Sequence, residues 1–85
     1  MTGAAPLRVV VSAGCATCRY TTKLLEAVRR LRPLLAVEVI DLDDPGVEVP
    51  DGVVGTPTFL IGERVVSLGN PTVEDLLATL DGATP

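Results

Sequence analysis

The chain has 85 residues, 47% hydrophobic and only 2% aromatic, with a formal net charge of −4 and no histidine. That length supports one small domain over residues 1–85, with an aliphatic core of Val, Leu and Ile. The acidic balance excludes general affinity for nucleic acid or anionic lipid, and the missing histidine excludes Ser-His-Asp and Cys-His catalysis within one chain.

Met1-Thr2-Gly3-Ala4-Ala5-Pro6 carries no basic stretch followed by a long apolar run, and no segment reaches membrane-spanning length. A cytosolic location without membrane contact is therefore expected, with residues 1–6 as a loose lead-in. In a reducing compartment the only two cysteines, Cys15 and Cys18, point to a redox or metal site rather than a structural staple.

Leu7-Arg8-Val9-Val10-Val11 is an apolar, β-branched run suited to a central strand buried on both faces. Ser12-Ala13-Gly14 gives a tight exit, and Cys15-Ala16-Thr17-Cys18 follows. From Ala16 to about Leu31 the pattern is helical, with Leu24, Leu25, Val28 and Leu31 along one face and a stop before Pro33. Arg19, Lys23, Arg29, Arg30 and Arg32 fall in or just after this segment and read mostly as a solvated face. Arg19 is set apart because a positive charge one residue past Cys18 would favour a thiolate.

Ala36 to Leu42 is a second strand, giving a right-handed βαβ unit with parallel strands. The segment from Val47 to Gly55, with Pro50 and Gly52 among β-branched valines, is expected to be a loop with at most one helical turn. The acids Glu38, Asp41, Asp43, Asp44, Glu48 and Asp51 lack the ligand spacing of a calcium-binding loop and read as solvated. Pro57–Ile61 and Arg64–Leu68 form two strands joined by Gly62-Glu63, a type II′ hairpin turn. Gly69-Asn70-Pro71-Thr72 starts a last helix, with Asn70 or Thr72 as cap and Pro71 in the first turn. Val73, Leu76, Leu77 and Leu80 share its inner face, Gly82 ends it, and the last residues form a frayed tail.

Placed at the start of a helix, Cys15 would have its thiolate stabilised by unpaired amides and the positive end of the dipole. Cys15 is then the nucleophile, and Cys18, nearly one turn on and more buried, the resolving thiol.

Two motifs in order, Cys15-Ala16-Thr17-Cys18 after the first strand and Val54-Gly55-Thr56-Pro57-Thr58-Phe59 opening the third, resemble the thioredoxin-fold proteins. The resemblance runs from about Leu7 to Leu80 and is closest in size to the glutaredoxins. It implies an α/β thioredoxin-like fold, βαβ-ββα, with a central four-stranded mixed sheet flanked by helices and its second helix shortened to the Asp44–Gly52 loop. It also implies a cis Thr56-Pro57 peptide beside the cysteines, with the Thr56 backbone pairing to an extended substrate. Gly14, Arg19, Gly69 and Asn70 complete the candidate substrate-binding set. Gly14 stands where thioredoxins carry Trp, and Val9 where they carry a buried acid. Gly69-Asn70 with Glu74 or Asp75 matches the glutathione-holding motif of glutaredoxins only in part. The expected activity is thiol-disulfide exchange by a monomer on a protein disulfide or a glutathione mixed disulfide. Electrons would come from a reductase or from glutathione as co-substrate, with no bound cofactor and no metal. The competing readings are a non-catalytic binding module, and a metal or iron-sulfur site made by the two cysteines in a dimer.

Overall fold

The computed structural model describes residues 5–82. Its elements are β1 (Leu7–Val11), α1 (Cys18–Leu31), β2 (Val37–Asp41), β3 (Thr58–Ile61), β4 (Arg64–Leu68) and α2 (Val73–Gly82). The sheet order is β2-β1-β3-β4, with β1 and β2 parallel and the other pairs antiparallel. The mixed sheet expected from the resemblance is present, and β1 is central in it. Leu7, Val9 and Val10 are fully buried, as a strand covered on both faces requires.

Strand alternation divides the core in two. Leu7, Val9 and Phe59 point to the face on which both helices lie and meet Leu24, Leu25, Val28 and Leu76. Val10, Ile40 and Leu60 point to the other face, where Leu42, Val47, Val53 and Val65 cover them. The sheet is thus flanked by helices on one face only. The second face is covered by residues 42–57, which contain no helical turn. Pro45, Pro50 and the left-handed glycines Gly46 and Gly52 (φ 82° and 87°) prevent a helix from forming there.

Local details follow from side-chain chemistry. α1 begins at Cys18 rather than Ala16, and it ends as Arg32 N–H bonds Val28 O at 2.7 Å just before Pro33. Leu31, expected on the inner face, is 52% exposed. At the hairpin Gly62 has φ 61° while Glu63 keeps a negative φ, the sign pattern of a type II′ turn. Leu60 pairs with Val65 and Phe59 with Ser67, so Val66 is an extra residue that bulges β4. Thr72, not Asn70, caps α2: its hydroxyl accepts the Asp75 N–H at 3.0 Å, which leaves Pro71 ahead of the helix. Pro6 is held in place, its carbonyl accepting the Gly62 N–H at 3.0 Å. Of the loose ends expected at residues 1–6 and 82–85, Gly82 is instead the last residue of α2, and residues 1–4 and 83–85 lie outside the described residues.

Candidate functional site

Cys15 and Cys18 are joined as a disulfide with their Cα atoms 5.4 Å apart. Cys18 is the first residue of α1, whereas Cys15 lies in the turn between β1 and α1, two residues before the N-cap Thr17. The sequence places Cys15 at the N-terminus of a helix that begins with the motif. The turn displaces it: Cys15 N–H bonds Ser12 O, and Cys15 O accepts the Cys18 N–H, both at 3.3 Å. One first-turn amide is therefore spent on the Cys15 carbonyl. Thr17 makes no side-chain cap bond; its hydroxyl lies 3.7 Å from Cys15 Sγ. A disulfide sulfur has no proton, so that hydroxyl is the donor.

Both cysteines are half-buried, and their surroundings differ. Ala13, Gly14, Ala16 and Thr17 around Cys15 are all exposed. Cys18 instead lines a cavity of about 260 Å³ between α1 and the ends of β1 and β2, shared with Thr21, Leu25 and Arg29.

Three hydrogen-bonded ties hold the turn. On the β3 side, the Ser12 and Thr56 hydroxyls are 2.9 Å apart. The Thr56-Pro57 peptide is cis, Pro57 is buried, and its carbonyl accepts the Gly69 N–H at 2.8 Å. On the α2 side, Asn70 Nδ2 donates to Thr17 O at 2.9 Å, and Asn70 Oδ1 accepts the hydroxyl of buried Thr21 at 2.6 Å. On the β2 side, Asp43 Oδ2 accepts the Ala13 N–H at 2.5 Å.

The structure thus links Cys15, Cys18, Thr56, Pro57, Gly69 and Asn70 through hydrogen bonds and the peptide bonds between chain neighbours. Gly14 and Arg19 stand outside it. Gly14 is exposed, with no atom within 4 Å of where a Cβ would be, so a larger residue fits there. Arg19 is exposed on the first turn of α1 and joins no ion pair among the described residues. Sequence reasoning missed Ser12, Thr21 and Asp43. Asp43 reads as one more solvated acid because its partner is 30 positions away. Among the described residues no group of three or more His, Cys, Asp or Glu is arranged to hold a metal ion.

A βαβ-ββα sheet with a cysteine pair at the β1–α1 junction and a cis-proline before β3 defines a thioredoxin-like protein whose dithiol fits a redox role. A comparison with family models matches the thioredoxin domain over residues 7–81, and the chain belongs to that family. No curated protein matches it.

Proposed function

We propose that the protein is a thiol-disulfide oxidoreductase that reduces protein disulfides. The carrying observation is the Cys15–Cys18 disulfide tied through Ser12 to the Thr56-Pro57 segment. Among the described residues, the Thr56 N–H and C=O make no hydrogen bond to another backbone group. They are available to pair with an extended peptide, as strand addition requires.

In the reduced protein the Cys15 thiolate attacks one sulfur of the substrate disulfide. A Cys15–substrate bond forms, and the other substrate sulfur leaves as a thiolate and takes a proton. The Cys18 thiol, losing its proton, then attacks Cys15 Sγ. The Cys15–Cys18 bond forms as the second substrate thiolate departs, so the substrate gains two electrons and the protein loses two. Cys15 attacks first because its flanks are open, whereas Cys18 starts a helix against the sheet. The Thr17 hydroxyl is placed to donate to a Cys15 thiolate as it does to the disulfide sulfur. A reductase or glutathione returns the electrons in a reducing, cytosolic setting, with the protein acting as a monomer.

The test is dithiothreitol-driven reduction of insulin. Cys15→Ser is expected to abolish the protein's contribution, and Cys18→Ser to trap a mixed disulfide on Cys15. A Cys15→Ser protein with wild-type turnover would sink the proposal.

A further inference from the structure

We infer that Asp43 is a positioning residue for Cys15: its carboxylate holds the cysteine turn in the arrangement from which the disulfide closes, and so sets how readily that disulfide is reduced. The inference rests on the reading that the Cys15–Cys18 pair cycles between disulfide and dithiol.

The turn has little packing to hold it. Ala13, Gly14, Ala16 and Thr17 are exposed, and Gly14 presents no side chain. Such a segment keeps its shape only through hydrogen bonds to better-ordered neighbours. Ser12 and Thr17 provide two of them, to Thr56 and Asn70, and all the partners there are neutral. The third joins the Ala13 N–H to a carboxylate, and hydrogen bonds to ionised acceptors are stronger than neutral ones.

Asp43 is itself fixed. Its N–H donates to Asp41 Oδ1 at 2.9 Å, and the preceding Leu42 N–H donates to Val11 O, also at 2.9 Å. The end of β2 is therefore a bracket anchored on β1, with the Asp43 carboxylate as the arm that reaches the turn. The Thr56 tie enters one residue earlier, at Ser12, so Ala13 is the last residue before Cys15 with such a side-chain tie.

This tie acts unequally on the two redox forms. In the disulfide, the sulfur–sulfur bond already confines Cys15. In the dithiol, only the hydrogen bonds keep its thiol near Cys18, and losing one lowers the effective concentration of one thiol at the other. The reaction is Cys15–S–S–Cys18 plus a dithiol giving two protein thiols plus the oxidised dithiol, with two electrons and two protons passing to the protein. Loosening the turn favours its right-hand side, so the disulfide becomes easier to reduce.

The test is equilibration of the protein with dithiothreitol redox buffers, in about 1 M salt, where screening shortens to ~3 Å and the lost charge no longer acts at a distance. Asp43→Ala is expected to lower the stability of the disulfide about tenfold, which raises the potential by ~30 mV. Asp43→Asn keeps an acceptor oxygen and is expected to stay within about twofold of wild type, since only the ionic share of the bond is lost. Circular dichroism checks folding, and Asp43→Ser, expected to shift like Asp43→Ala, replaces it if that variant does not fold. A wild-type potential in Asp43→Ala, or an equal shift in Asp43→Asn, overturns the inference. Neither measurement needs a protein substrate. A shifted Asp43→Ala in a protein that cannot reduce insulin would refute the enzymatic reading and leave the role of Asp43 standing.

Discussion

Asn70 shows how a residue near a reactive pair can serve the fold. Its amide spans from the turn between β4 and α2 to the start of α1, donating to the Thr17 carbonyl and accepting from Thr21, whose side chain is only 1% exposed. Asn70→Ala leaves a buried hydroxyl without its acceptor and frees the carbonyl at the helix start. The expected loss is about 1–3 kcal/mol in denaturant unfolding, the cost of orphaning a buried polar group. An unchanged midpoint would show that water replaces the amide. Legibility in the sequence differs sharply among these residues. Cys15, Cys18 and the Thr56-Pro57 segment announce themselves because their chemistry is carried by adjacent residues. Asp43 and Thr21 do not: each acts through a partner 30 or 49 positions away, and only the parallel register of β1 on β2, or the packing of α2 on α1, brings them together. Asn70 is legible as important, but its bracing of α1 is not, since capping, ligand binding and bracing call for the same side chain.

At the scale of elements, hydrophobic periodicity located every strand and both helices, and the deviations sit at their ends. α1 starts late because the Ser12–Cys15 turn holds the chain back. α2 starts at Val73 because Thr72 satisfies its first free amides, so Thr72→Ala is expected to cost about 1 kcal/mol of stability by thermal or chemical unfolding. A variant as stable as wild type would return the cap to another residue. The Arg32–Asp81 pair, which ties the C-terminal ends of the two helices at 3.0 Å, is exposed on both sides and belongs among pairs contributing under about 1 kcal/mol. Arg8 is better placed. It pairs with Glu38 across the β1–β2 register and donates to the Gly62 carbonyl, which satisfies a cation on a sheet face that otherwise buries Val10 and Leu60.

For the whole molecule, the imbalance between the two sheet faces matters most. The helical face gathers most of the buried side chains around Phe59, while the opposite face has three, covered by an irregular segment. A chain of this length has a net stability of about 4–13 kcal/mol. Phe59→Ala, removing the largest fully buried side chain, is expected to cost about 3–5 kcal/mol and leave a marginally folded protein in a denaturant titration. A loss below about 1 kcal/mol would mean that the aliphatic neighbours collapse into the space. The helix-free face was legible in composition, through its prolines and glycines, but its covering of Val10, Ile40 and Leu60 was not, because Val47 and Val53 give no periodic signal.

The segment that covers that face has a further property. It leaves the sheet at Asp43, which holds Ala13, and returns at Thr56, which holds Ser12. Its two ends are thus pinned to neighbouring residues of one turn, and the stretch between them is a closed circuit with respect to the cysteines. Lengthening the chain around exposed Glu48 and Asp51 costs loop-closure entropy that grows only slowly with length, and it leaves both pins where they are. That makes the outer bend of the segment a natural grafting point for new sequence, whereas an insertion beside either pin would move Cys15 itself.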